Sequence, residues 1–102
     1  MDVQTLHRQM QAGTPPVLVD VREAGEVAVC SLPGALHIPL GSLPQRFSEI
    51  PKDRPVVIHC HHGGRSGRAV AWLLSQGYSQ VRNLEGGIDA WARRIDPNMS
   101  TY

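Results

Sequence analysis

Short runs of β-prone residues, alternating with helical patterns, constrain the fold of this chain more than any other feature. Val17–Val19, Pro55–His59 and Val81–Leu84 have the apolar, unbroken character of strands that are buried on both faces. Ala35–Ile38 is predicted as a weaker strand. Strands that alternate with helices along a chain are typical of a parallel sheet covered on both sides. We therefore expect a three-layer α/β domain with a central parallel sheet of four or five strands and helices on both faces.

Five segments between and around these strands carry helical signals. They are Val3–Met10, ended by Gly13–Pro16; Glu23–Val29; Ser42–Ile50, with Ser42 and Gln45 as a capping box; Ser66–Gln76, followed by Gly77; and Ile88–Ile95. Ser66–Gln76 and Ile88–Ile95 carry apolar stripes at helical spacing, so we expect both of them to pack against the sheet.

Composition limits the function classes that fit. The chain has 102 residues, 41% of them hydrophobic, which predicts one domain over residues 1–102 with a monomer as the default state. A net charge of +1 argues against a nucleic acid or an anionic membrane as partner. No run reaches the ~18 apolar residues of a membrane helix, and the first residues lack the pattern of a secretory signal. We expect a cytoplasmic protein in which Cys30 and Cys60 are reactive or buried rather than bridged.

The carboxyl ends of the predicted strands are where ligands bind in parallel sheets of this kind. Two segments lie there, Asp20–Glu23 and Cys60–Ser66. The thiol of Cys60 is expected to face the crevice, because Gly63 and Gly64 allow the loop to curl around it and aim backbone N–H groups inward. These donors and the start of the following helix favour the thiolate, so we predict a lowered pKa for Cys60. A buried structural cysteine in a tight turn is the alternative.

The segment Cys60–Ser66 resembles the active-site loop of rhodanese-like domains, Cys-x-x-Gly-x-Arg-Ser. Four further segments agree with that family in order and spacing: Asp20–Glu23 with Asp-Val-Arg-Glu, Pro33–Leu40 with Pro-Gly-Ala-x-x-Ile-Pro, Gly77–Tyr78 with the end of the helix after the loop, and Leu84–Trp91 with Leu-x-Gly-Gly-x-x-x-Trp. Cys30–Leu32 departs from the family, which commonly has Gly-His-Ile there, and this puts the local turn in doubt rather than the chemistry.

The resemblance implies sulfur transfer without a metal or an organic cofactor. Cys60 would be the catalytic residue, attacking the outer sulfur of a donor such as thiosulfate and carrying that sulfur as a persulfide to cyanide, a thiol or a sulfur-carrier protein. The substrate-binding residues would be those of the rest of the loop: His61, His62, Gly63, Gly64, Arg65 and Ser66. Their backbone N–H groups would hold the anionic persulfide, and the Arg65 side chain would bind an anionic donor or hold the loop.

The end of the chain carries a narrower resemblance. Gly87–Ala92, and Asp96 through Tyr102, resemble the tail of rhodanese domains fused to enzymes that adenylate sulfur-carrier proteins. A sulfur-carrier or adenylating protein is therefore a candidate partner in trans. The alternative is that the tail simply packs back on the domain.

Several other interpretations stay open at this point. Four residues separate Cys60 from Arg65, one fewer than in the related phosphatases, so a phosphatase or arsenate reductase is a weaker alternative, as is a non-catalytic docking module. Asp20 and Arg22 are interpreted as structural support, an ion pair that braces neighbouring loops, rather than as catalytic groups. His61 and His62 are expected to line the mouth, not to bind zinc together with His59. Cys30 is a conceivable resolving thiol, although a free cysteine is usually buried and inert.

Overall fold

A four-stranded parallel sheet forms the middle layer of the computed structural model, which describes residues 1–102. Its strands are β1 (Val17–Asp20), β2 (Leu36–His37), β3 (Val56–His59) and β4 (Val81–Asn83), in the spatial order β2-β1-β3-β4. The helices are α1 (Val3–Gln11), α2 (Ala24–Val27), α3 (Leu43–Arg46), α4 (Gly64–Ser75) and α5 (Gly87–Arg94). The predicted α/β class with a parallel sheet is confirmed, with four strands. No helix has the length and apolar character needed to cross a bilayer.

Two hydrophobic clusters lie on opposite faces of the sheet, because successive strand residues point to opposite sides. Val19 and Ile58 face α4, where Leu73 is fully buried. Leu18 and Val57 belong to the second cluster, to which α1 and α5 contribute. The next residues after β3 follow the same alternation, so Cys60 joins the cluster on the α4 side. The two cysteines are therefore separated by the sheet, since Cys30 packs against the other cluster.

The predicted helix from Ser42 to Ile50 is wrong in its length and in its cap. The structure has only the single turn of α3 there, flanked by the 3-10 turns Leu40–Ser42 and Phe47–Glu49. Ser42 has φ −95° and ψ −5°, and its side chain makes no capping hydrogen bond. An N-cap needs an extended backbone to turn its oxygen toward the helix, and the preceding 3-10 turn prevents this.

The predicted bounds of other elements also shift. The helix predicted to begin at Ser66 begins at Gly64, so that Gly64 and Arg65 belong to its first turn rather than to the loop. The helix predicted at Glu23–Val29 is confined to α2, and the weak strand at Ala35–Ile38 is confined to β2.

The first turn of α5 packs against the segment that follows β3. Ile88 N–H donates to the Cys60 carbonyl at 2.9 Å, and Asp89 N–H donates to the His61 carbonyl at 3.1 Å. These are first-turn amides, which have no carbonyl partner within their own helix. Gly87 makes the approach possible, because a Cβ at this position would lie 2.4 Å from the His61 oxygen and 2.6 Å from the Cys60 oxygen. Its φ of +61° is also in the left-handed region that glycine adopts readily.

Replacing Gly87 by alanine should therefore disrupt the contact between the first turn of α5 and the carbonyls of Cys60 and His61. We expect Gly87→Ala to lower the free energy of unfolding by about 2–4 kcal/mol, combining left-handed backbone strain with overpacking against backbone. The matched control is Gly25→Ala in α2, where an added Cβ meets nothing within 4 Å and φ is not positive. That change should be neutral or stabilising by up to about 1 kcal/mol. Urea unfolding measures both, and equal stabilities of the two variants would contradict the prediction.

Candidate active site at Cys60

Cys60 follows β3 directly, and its thiol is surrounded by hydrogen-bond donors. The N–H groups of Gly63 and Ser66 lie 3.1 Å and 3.4 Å from Sγ, and the Ser66 hydroxyl oxygen lies 3.3 Å away. The residue is only 1% exposed. Cys60 nevertheless lines an open pocket of about 510 Å³, together with His61, His62, Gly64, Arg65 and Arg68. A small reactant that enters this pocket is therefore brought next to Cys60.

The loop curls around the sulfur because Gly63 has a φ of +116°, a conformation that residues with a side chain rarely adopt. α4 begins at the next residue, so the amides of its first turn converge on the pocket. Burial alone would raise the pKa of the Cys60 thiol. Hydrogen bonds from the Ser66 side chain and from the N–H groups of Ser66, Gly63 and His62 outweigh burial and lower this pKa below its ordinary value.

The Ser66 hydroxyl has two possible acceptors. Its Oγ is 2.6 Å from the Asn83 side-chain oxygen and 3.3 Å from the Cys60 sulfur. A hydroxyl has one hydrogen, so it donates to one of these acceptors at a time. Beside a neutral thiol the hydrogen goes to the closer oxygen, and the S–H group donates to Oγ. Beside a thiolate, the charge attracts the hydrogen toward the sulfur.

The guanidinium of Arg65 does not point freely into the pocket. Both terminal nitrogens lie 2.7 Å from the carboxylate oxygens of Glu26, a forked ion pair between the start of α4 and α2. The hydrogen bonds from Arg65 lower the pKa of Glu26 to about 2. Of the two roles expected for Arg65, this contact favours holding the loop.

Asp20 and Arg22 form a buried ion pair at the end of β1. Their side chains are 1% and 0% exposed, and Nη2 of Arg22 lies 2.7 Å from Asp20 Oδ2. Burial raises the pKa of Asp20, but hydrogen bonds from Arg22 overcome that effect and lower it. The guanidinium also donates to the carbonyl of Cys30 at 2.7 Å and to the carbonyl of Glu26 at 3.3 Å. The pair thus joins the end of β1 to the segment around α2, and it makes no hydrogen bond to the Cys60 sulfur.

His59 lies in the interior of the structure, apart from His61 and His62 at the pocket. His59 is fully buried next to Asp20, 3.9 Å between Nε2 and Oδ2, and neither of its ring nitrogens has a hydrogen-bond partner. Burial lowers the pKa of His59 to about 4, so the ring is neutral at physiological pH. His61 and His62 lie at the mouth of the pocket, with ring centroids 4.0 Å apart.

His61, His62 and Asp89 are the one group of side chains with the composition of a metal site. Their ligand atoms lie within 4.8 Å of one another, whereas about 3.3 Å separates the ligands of a tetrahedral zinc ion. Arg93 Nε also lies 3.1 Å from the Asp89 carboxylate and competes with a cation there. The group would have to rearrange to hold a metal.

Three residues near the site were not identified from the sequence as site residues. Asn83 holds the Ser66 hydroxyl, and Glu26 holds Arg65. Tyr102 donates from its hydroxyl to Glu26 and accepts from Arg22, each at 3.0 Å, and its ring stacks on His61 at a centroid distance of 4.0 Å. The tail therefore packs back on the domain. A signal existed only for Asn83, which lies next to the carboxyl end of the predicted strand Val81–Leu84, the kind of position that had selected Asp20 and Cys60.

Comparisons with known proteins agree on one family. The Rhodanese-like domain profile matches residues 2–94. A protein named Sulfurtransferase from Allochromatium vinosum is 47% identical over 93 residues, covering 91% of this chain and 87% of that protein. Adenylyltransferase and sulfurtransferase uba4 from Ogataea parapolymorpha is 36% identical over 92% of this chain, which spans only 24% of that protein. The human single-domain sulfurtransferase TSTD1 superposes with a TM-score of 0.79 at 29% identity, covering 92% of this chain and 95% of TSTD1.

The donors around Cys60 predict unusual acidity of its thiol. In a Cys30→Ser background, the rate of iodoacetamide alkylation should rise with pH to a midpoint below that of a free thiol, about 8.5. The midpoint shifts to lower pH because, with a lowered pKa of Cys60, half of the thiol is already ionised at a lower pH. A midpoint at or above the free-thiol value in the folded protein would show that the amides do not stabilise the thiolate.

Proposed function

The chain belongs to the rhodanese-like domain family, and from that premise we propose that it is a sulfurtransferase with Cys60 as its persulfide-carrying nucleophile. The observation that carries the proposal is the set of donors directed at the Cys60 sulfur, from Gly63 N–H, Ser66 N–H and the Ser66 hydroxyl, beside an open pocket that Cys60 lines. The 47% identical sulfurtransferase of Allochromatium vinosum supports the same activity.

In the first half-reaction, the Cys60 thiolate attacks the outer sulfur of thiosulfate. A bond forms between Sγ and that sulfur, the S–S bond of thiosulfate breaks, and sulfite leaves with the electron pair. The negative charge then rests on the outer sulfur of the persulfide. The N–H groups of Gly64 and Arg65 have no acceptor within α4, and they are suited to stabilise this sulfur by electrostatic interaction.

In the second half-reaction, a nucleophilic acceptor attacks the outer sulfur of the persulfide. The new bond joins that sulfur to the acceptor, the persulfide S–S bond breaks, and the thiolate of Cys60 is restored. The donors that lower the pKa of Cys60 also make it a better leaving group in this step. Cysteine alone carries the sulfur between the two steps, so that the scheme requires no cofactor.

A protein acceptor is part of the proposal. The chain is 36% identical to part of Adenylyltransferase and sulfurtransferase uba4. The name of that protein combines adenylation with sulfur transfer. We propose a sulfur-carrier or adenylating protein as the partner in trans. Cys60 lines an open pocket, which gives a polypeptide end access, and exposed Arg68 at its rim suits an anionic group.

Sulfur loading tests the activity directly. After incubation with thiosulfate, intact-mass spectrometry should show one added sulfur atom on the protein, and cyanide should remove it. Cys60→Ser should take up none, because the nucleophile is absent. Cys30→Ser is the matched control and should load like the wild type, since Cys30 packs on the opposite side of the sheet from Cys60.

Two results would contradict the proposed activity. One is a wild-type protein that takes up no sulfur from thiosulfate or from a protein persulfide, which would favour a docking module. The other is Cys60-dependent turnover of an aryl phosphate, which would favour a phosphatase.

The forked contact between Arg65 and Glu26 predicts that the two side chains act as one unit. Arg65→Ala and Glu26→Ala should each slow loading by thiosulfate by roughly threefold to tenfold, and the double variant should be no slower than either. Single-turnover rates over a range of thiosulfate concentrations provide the measurement. If Arg65→Ala slows loading while Glu26→Ala leaves it unchanged, Arg65 binds the donor directly and the holding role is wrong.

A further inference from the structure

Asn83 contacts two residues of the Cys60–Ser66 segment, Gly63 and Ser66, which both donate to the Cys60 sulfur. It is the last residue of β4, next to β3 in the sheet, and its side chain is half-buried. Its Nδ2 donates to the Gly63 carbonyl at 3.0 Å, and its Oδ1 accepts from the Ser66 hydroxyl at 2.6 Å. The Gly63 carbonyl is only an acceptor, so the amide nitrogen must face it and the amide orientation is determined.

The contact with Gly63 restrains a residue that touches the sulfur. The Gly63 carbonyl accepts from Asn83 and also from Gly67 N–H at 2.9 Å, while the Gly63 N–H donates to Sγ at 3.1 Å. Glycine in the left-handed region has little intrinsic preference for one conformation, so contacts of this kind must select it. Without Asn83, the Gly63 carbonyl keeps only the hydrogen bond from Gly67 N–H in α4.

The contact with Ser66 restrains the second side of the sulfur. A free serine side chain samples three staggered rotamers, and only some of them place Oγ near Sγ. The short hydrogen bond to Asn83 holds Oγ at 3.3 Å from the sulfur. From there the hydroxyl accepts from the thiol, or turns its hydrogen to the thiolate, without moving the oxygen.

We propose that Asn83 is a positioning residue, which keeps the Gly63 amide and the Ser66 hydroxyl directed at the Cys60 sulfur. It acts through these two groups and does not touch the reacting atoms. Its effect on sulfur transfer rests on the proposed function, whereas its effect on the acidity of the thiol does not. The two ideas are therefore tested by different readouts.

The variant Asn83→Leu removes both hydrogen bonds at similar side-chain volume. In a Cys30→Ser background, we expect the alkylation midpoint of Cys60 to rise by about half a pH unit or more, because the donors to the thiolate lose their alignment. Loading by thiosulfate at neutral pH should slow by about threefold or more. Asn98→Leu is the control, because Asn98 is exposed in the tail and its side chain makes no hydrogen bond. It should change neither value.

A second comparison separates the two contacts. Losing Asn83 Oδ1 also frees the Ser66 hydrogen for the sulfur, which by itself would lower the midpoint. In a Ser66→Ala background this opposing effect is absent, and Asn83→Leu should again raise the midpoint, now through Gly63 alone. Thermal unfolding confirms that each variant is folded, and Asn83→Ala replaces Asn83→Leu if the latter is not.

The outcomes are decisive for each idea. A midpoint that does not rise in the folded Ser66→Ala background overturns the positioning role, even where thermal stability falls. If the wild type loads sulfur while Asn83→Leu leaves the midpoint unchanged in the Ser66→Ala background, the proposed function stands and the positioning role fails. If the midpoint rises but wild type never loads sulfur, the positioning role stands and the proposed function fails.

Discussion

The hydrogen bonds from the first turn of α5 to the carbonyls of Cys60 and His61 determine the direction of the peptide groups around the sulfur. A peptide group is planar, with its C=O and its following N–H pointing in opposite directions. Fixing the His61 carbonyl on Asp89 N–H therefore directs the His62 N–H the other way, and this amide is among those that lower the pKa of Cys60. The absence of a side chain at Gly87 permits this contact. A feature outside the loop thus makes the loop an anion-stabilising environment.

Fixed dipoles, rather than a cation, make the hydrogen bonds to the Cys60 sulfur. Arg22 is neutralised by Asp20 and Arg65 by Glu26, and Tyr102 joins the two pairs through its hydroxyl group. These charged groups connect α2, the tail and the start of α4 around the pocket. Their hydrogen bonds restrain the backbone around the pocket, which is the condition for donors that need not rearrange when a charge develops. The hydrogen bonds from the backbone amides and from the Ser66 hydroxyl explain why a nearly fully buried cysteine can have a lowered pKa.

The support around the sulfur comes from three strands of the sheet. β3 leads to Cys60, β4 contributes Asn83, and β1 ends in Asp20, which is paired in register with His59. His59 and Cys60 are neighbours in sequence, yet strand alternation sends them to opposite faces. Parallel strands therefore place at one edge of the sheet groups that are distant in the chain.

Local pattern was sufficient to predict the sheet, its flanking helices and the position of the Cys60 loop, because strand and helix periodicities are properties of short segments. It failed at Ser42, whose capping pattern was overridden by the adjoining 3-10 turn, and at the start of α4, which lies two residues earlier than predicted. Gly63 and Gly64 also indicated a tight loop, because glycine permits a positive φ.

The partners of that loop were decided only by tertiary structure. Glu26 lies 39 positions from Arg65, Tyr102 lies 76 from Glu26, and Asn83 lies 17 from Ser66. No periodicity links residues at such separations, because their distances in space follow from how the strands and helices pack. The sequence alone therefore predicted the position of the Cys60 loop and its tight turn at Gly63. The packing decided which side chains hold that loop in position, since a hydrogen bond requires two groups to meet within about 3 Å.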